Sequence, residues 1–212
     1  MKTQTLIGLL ALMLSTGIVR GSLYNETFSG VNTAIPDGNP VGVSFSETVS
    51  GIPGGSTVGG LTVDLTVSGG YNGNLYAYLV APNGTLVMLL NQPGVTGSNP
   101  FGYAGSGLNV TLSDTASGNI QTMPETAGSV FSGTYQAAGT LANINGSVAD
   151  GTWALFFTDM VPGGGQAELT GWSLGITAVP EPVNVALGLF AVMLIALAGI
   201  KHCWRLQANR TS

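Results

Sequence analysis

Two stretches near the end of the chain decide its fold: Gly151-Thr152-Trp153-Ala154-Leu155-Phe156-Phe157-Thr158-Asp159 and Leu169-Thr170-Gly171-Trp172-Ser173-Leu174-Gly175-Ile176. Trp153, Leu155 and Phe157 alternate with Ala154 and Phe156, and Trp172, Leu174 and Ile176 alternate with Ser173 and Gly175. A period of two is that of an extended strand with one face buried. Moving outward, the same period recurs at Val41/Val43/Phe45, Leu61/Val63/Leu65/Val67, Leu75/Ala77/Leu79 and Leu108/Val110/Leu112. Between these runs lie Gly54-Gly55, Gly69-Gly70, Asn72-Gly73, Pro82-Asn83-Gly84, Asn145-Gly146 and Gly163-Gly164-Gly165. Such residues form turns because Gly and Asn tolerate positive φ. No window between residues 22 and 178 carries a 3.6-residue apolar period. The reading is an all-β fold of short antiparallel strands, a sandwich or a barrel.

The composition of this middle region narrows the chemistry. All five basic residues lie outside it: Lys2, Arg20, Lys201, Arg205 and Arg210. Nine of the ten acidic residues, all but Glu181, lie within it. A region so uniformly anionic has no basic patch for nucleic acid. It can form no Lys or Arg salt bridge. With no His, Cys, Lys or Arg between residues 22 and 178, a Ser-His-Asp triad, a Cys-His dyad, a Lys Schiff base and a His-ligated metal are all excluded there. Carboxylates remain. A glycosidase needs a pair of them at close, defined separation, and no spacing singles out such a pair. The region is expected to be non-enzymatic.

Both ends read as targeting segments. Residues 1–21 combine an early cation, Lys2, with an apolar run from Leu6 to Leu14 and small residues after it, the pattern of a secretory signal peptide. At the other end Val179-Pro180-Glu181-Pro182 precedes an uncharged run, Val183–Ile200, and then Lys201-His202-Cys203-Trp204-Arg205. A helix over that run would rise about 27 Å at ~1.5 Å per residue, close to the ~30 Å hydrocarbon core of a bilayer. The positive-inside rule keeps Lys201, Arg205 and Arg210 cytoplasmic and places everything before Pro180 outside. Cys203, the only cysteine, then lies on the cytoplasmic side, and the exported region has no disulfide. The expected organisation is a signal peptide (1–21), one sandwich domain (22–178) and a C-terminal tail (179–212) with a transmembrane helix over 183–200.

The tail resembles the PEP-CTERM sorting signal of exopolysaccharide-producing Gram-negative bacteria. The motif Pro180-Glu181-Pro182, the apolar helix and the basic end, Lys201 to Arg210, stand in that family's order. Here the basic residues are spread out rather than clustered. The resemblance implies processing by an exosortase, a membrane-embedded cysteine protease-transpeptidase, with loss of the helix.

The middle resembles the P domain, or P/Homo B domain, of kexin- and furin-like proprotein convertases. The residues carrying this are Val63 to Val67, Tyr71-Asn72-Gly73-Asn74-Leu75, Ala81-Pro82-Asn83-Gly84-Thr85, Gly151 to Asp159, and Leu169 through Trp172 to Ile176. The likeness runs from about Phe45 to Ile176 and implies a jelly-roll β-sandwich. The chain departs where the family has His-Thr before the tyrosine, here Gly69-Gly70, and where it has Asp before the leucine, here Asn74. In the convertases this domain stabilises a subtilisin-like catalytic domain, which is absent from this sequence.

No cofactor is required by these readings; the acids are either solvated surface groups or ligands for calcium, which takes oxygen ligands from carboxylates, amides and carbonyls. Asp64, Asp114 and Asp159, on or beside the segments that match the family, are the candidate ligands. The function expected from these readings is a non-enzymatic protein of the cell surface or exopolysaccharide matrix, with an exosortase and the membrane as partners. Two alternatives stand beside it. One is a permanently anchored periplasmic module that binds calcium or stacks a glycan on Tyr71, Tyr76, Tyr78, Phe101 or Tyr103. The other is an accessory P domain for a separate serine protease.

Overall fold

Each of the six alternating runs becomes a strand in a computed structural model that describes residues 21–122 and 126–208. Among the described residues there are nine strands: β1 (Ser22–Ile35), β2 (Val43–Val49), β3 (Ser56–Gly69), β4 (Leu75–Val80), β5 (Leu86–Asn91), β6 (Gly107–Ser113), β7 (Phe131–Tyr135), β8 (Gly151–Asp159) and β9 (Ala167–Pro180). They form two sheets, ordered β1-β9-β3-β6-β7 and β2-β8-β4-β5. The result is a two-layer sandwich and not a closed barrel. Leaving β7 aside, this is the order of a jelly roll. The chain passes from sheet to sheet, so strands adjacent in sequence seldom pair, and the longest ladders join distant segments. One pair departs from the expected antiparallel pattern: β7 runs parallel to β6, with Leu108 opposite Phe131 and Leu112 opposite Tyr135.

The apolar face of every alternating run points between the layers. Val63, Leu65, Leu75, Leu79, Leu112, Trp153, Leu155, Phe157 and Ile176 are all fully buried. The one misplaced residue is Val41, which is 79 % exposed. It sits in a turn in which its own N–H donates to Asn39 Oδ1 and the N–H of Gly42 donates to the Asn39 carbonyl, so β2 begins only at Val43.

Bulges keep the core continuous where simple alternation would break it. The ladder between β3 and β9 shifts at Val58/Gly60, which turns both Val58 and Leu61 inward. A second shift, at Thr66/Val67, gives β9 an extra residue and buries both Leu169 and Trp172. A third, in the β4–β5 ladder at Ala77/Tyr78, buries Leu89 and Leu90 together.

The last residue of β9 is Pro180, opposite Ser56, so the sandwich continues two residues past the expected boundary at 178 and includes the first proline of the Pro-Glu-Pro motif. Only Glu181 separates it from a helix, α1 (Pro182–Ala208). The expected signal peptide, residues 1–21, lies outside the described residues except for Gly21, and Arg210 also lies outside them. Among the described residues no helix is long and apolar enough to cross a membrane. The expected span over residues 183–200 lies within α1, and its described residues do not make a helix long and apolar enough to cross.

Trp153 anchors the interior: it is fully buried, and its indole N–H donates to the Ala149 carbonyl at 3.2 Å. Trp153→Ala leaves a large cavity and is expected to cost about 3–5 kcal/mol in urea denaturation of the full chain.

Candidate functional site

Cross-strand register places Asp64 directly opposite Thr111 on β6 and Ser173 on β9. Both hydroxyls donate to its carboxylate at 2.5 Å, Thr111 Oγ1 to Oδ1 and Ser173 Oγ to Oδ2. Asp114, just past β6, accepts the N–H groups of Leu141 at 2.9 Å and Ala142 at 2.7 Å. It thereby caps the 3-10 turn Leu141–Ile144, to which Thr140 contributes no side-chain cap. These two expected calcium ligands are held by the protein's own donors, at separate places on the sandwich.

Asp159 is different. It ends β8, where the burial pattern carries its side chain inside, and it is 0 % exposed. Oδ1 accepts the N–H of Val161 at 3.1 Å, while Oδ2 is buried without a hydrogen-bond partner. Burial pushes this carboxyl above the ordinary carboxylate range, the Val161 N–H pulls it back, and the charge of Asp37 pushes it up again. The N–H of Gly38 and the Asn74 amide also face the carboxylate and temper its charge in part.

Three segments meet at this point. Asp37 lies in the β1–β2 connection and accepts the N–H of Gly163 on both oxygens, at 3.1 and 3.0 Å. Asn74, 4 % exposed, lies in the 3-10 turn before β4, and its carbonyl accepts the N–H of Met160. Its Nδ2 donates to two carbonyls of the β8–β9 loop, Val161 and Gly163, each at 3.0 Å. That loop can fold so tightly because Gly163, Gly164 and Gly165 take φ of 91°, 100° and 90°, a region closed to most side chains. Space closes it as well: a Cβ on Gly164 would stand 2.6 Å from Cβ of Tyr71, and one on Gly38 2.7 Å from Cβ of Pro162. Asp37 escaped the sequence reading because nothing in spacing links residues 37 and 159. The clue was local: Asp37-Gly38-Asn39 and Gly163-Gly164-Gly165 are the turn formers that close the two sides of the pocket. Among the described residues no group of three or more His, Cys, Asp or Glu side chains gathers anywhere. Asp150, at the other end of β8, also keeps one buried oxygen unpartnered.

The five candidate stacking aromatics do not form one platform. Tyr76 and Tyr78 lie half-buried on the outer face of the second sheet, as their alternation with Leu75 and Leu79 requires. Tyr78 stacks on Phe156 with ring centroids 4.6 Å apart and 13° between planes, and Tyr76 meets Tyr78 edge-on at 6.2 Å. Tyr71 flanks the Asp159 pocket. Phe101, 65 % exposed, and Tyr103 belong to a loop that packs on the turn at Gly73.

No family model matches the chain, and no curated protein matches it. Among solved structures it is similar to the Aeromonas sobria serine protease, at 17 % identity and a TM-score of 0.44 over 74 % of this chain and 26 % of that one. It is similar also to the complex of that protease (ASP) with the chaperone ORF2, at 17 % identity and a TM-score of 0.45 over 77 % of this chain and 27 % of that one. The chain thus spans about a quarter of the length of the solved chains it matches. Likenesses this distant carry no argument about its activity.

Two outcomes follow from the carboxylates. Asp114→Ala strips the acceptor from two N–H groups of the Leu141–Ile144 turn and is expected to lower stability by about 1–2 kcal/mol in urea denaturation. For Asp159 the sign is reversed. The folded chain holds its proton more tightly than the unfolded chain does, so its contribution to stability is present below about pH 4 and is lost as pH rises through the folded value. With chelator present, the stability of Asp159→Asn relative to wild type is expected to rise between pH 4 and pH 7.

Proposed function

We propose that the chain is an exported, non-enzymatic module of the cell surface or exopolysaccharide matrix, delivered through a PEP-CTERM tail and processed by an exosortase. The observation that carries this reading is the junction at Pro180-Glu181-Pro182. There the last strand of the sandwich gives way to a helix whose apolar side chains are bare. Leu187 is 61 % exposed, Leu189 62 %, Phe190 57 % and Ile195 72 %. A surface of that kind calls for an apolar surrounding. The sandwich ahead of it supports a role without catalysis. Among the described residues, Asp159, whose carboxyl the charge of Asp37 pushes up, is fully buried and so sealed from any substrate. The jelly-roll order and the buried Trp153 and Trp172 support kinship with the P/Homo B domains.

Intact mass spectrometry of protein recovered from the inner membrane and from outside the cell tests the proposal. The expected mature species starts near Ser22 and ends between Pro180 and Pro182. Extracellular protein that retains Val183–Ser212 would overturn processing and leave a permanent anchor.

A second reading, a glycan-binding module, is favoured by one feature: the Tyr76, Tyr78 and Phe156 group, half-buried on the outer face of the second sheet. Its test is a glycan array, and the expected result is binding that Tyr78→Ala abolishes.

A further inference from the structure

The Asp159 pocket departs from the rule that a buried polar atom finds a partner. A fully buried carboxylate oxygen without a hydrogen bond is costly to the fold, the more so when it carries charge. No side chain in the sandwich can neutralise it, since residues 22–178 contain no Lys, Arg or His. A second carboxylate, Asp37, sits close enough to raise its proton affinity further. Besides the N–H groups that face the pair, two backbone carbonyls stand beside it, and these suit a hard cation rather than a carboxylate. The carbonyl oxygens of Val161 and Gly163 converge on one point, now held by the Asn74 amide. The two ends of that amide are nearly the same size, so turning it over presents Oδ1 in place of Nδ2.

We propose that this pocket is a calcium site, with Asp159 Oδ2, a carboxylate oxygen of Asp37, Asn74 Oδ1 and the carbonyls of Val161 and Gly163 as ligands. That set supplies five oxygens, and water completes the six to eight that calcium takes. Two carboxylates balance the ion's charge. Magnesium is disfavoured because it demands strict octahedral geometry and gives up its water reluctantly, whereas this ligand set is irregular and built from loops. The ion would tie together the β1–β2 connection, the turn before β4 and the β8–β9 loop, which the hydrogen bonds of Asn74 and of Gly163 already link. The site does not depend on whether the tail is cleaved.

The test uses the full chain in non-ionic detergent, with thermal unfolding followed by circular dichroism and binding measured by calorimetry. Titration with CaCl2 is expected to raise Tm with a midpoint of roughly 0.1–1 mM, the range of extracellular calcium modules. EDTA should reverse the shift, and the same concentrations of MgCl2 should give little of it. Asp159→Asn should abolish the response, and Asp37→Asn, on an exposed residue that leaves the core intact, should weaken it about tenfold. Asp114→Asn, at a carboxylate occupied by backbone donors, should keep the full response. Three results would overturn the proposal: no calcium binding by the wild type up to 10 mM CaCl2, an equal response to magnesium, or an unchanged response in Asp37→Asn.

Discussion

A sandwich without a side-chain cation has only neutral N–H and O–H groups with which to hold its carboxylates. This constraint runs through the whole molecule. Asp64 is held between two hydroxyls on neighbouring strands. Asp114 takes two backbone N–H groups at the start of a 3-10 turn, and Asp37 takes the N–H of Gly163. Each arrangement places the acid where the fold already has orphaned donors, and each thereby fixes a loop or a register. The same limit explains why Asp159 stands out, because at the end of β8 its Oδ2 is buried without a hydrogen-bond partner.

With no charge pairs available, stability rests on the packing between the sheets. That packing depends on local irregularity. Three bulges each turn an additional apolar residue inward, and without them Leu61, Trp172 or Leu89 would face water. Trp172 illustrates the cost. It packs against Phe28 with ring centroids 4.5 Å apart, yet its indole N–H finds no acceptor.

These irregularities also mark how far the sequence could be read. Six strands and their buried faces were legible, since period-two alternation is a local property of the chain. Strands β1, β5 and β7 were not. In β1 the inward residues Phe28 and Ile35 lie on either side of a register shift between Ser29 and Thr33, where Asn32 takes a positive φ, and no constant period links them. In β5 the bulge sets two buried leucines side by side. In β7 the sequence Phe-Ser-Gly-Thr-Tyr has three exposed residues between its aromatics. The candidate site was legible at one residue, Asp159, because the alternation of β8 runs straight into it. The roles of Asp64 and Asp114 depend on partners 47 and 27 residues away, and the approach of Asp37 to Asp159 on a loop closure, none of which spacing encodes.

The strand that leads to the helix is β9, which lies between β1 and β3 and is paired along nearly its whole length on both sides. Any pull that enters through α1 is therefore directed along the axis of a strand flanked by two antiparallel neighbours. Hydrogen bonds loaded in this way share the force and must give way together, whereas a strand pulled from an edge peels open one bond at a time. The Pro180 end of β9 is thus a mechanically strong attachment point. The chain reaches it from Ser22, opposite Ala178, so the first strand and the last close the same ladder and carry the load as one unit.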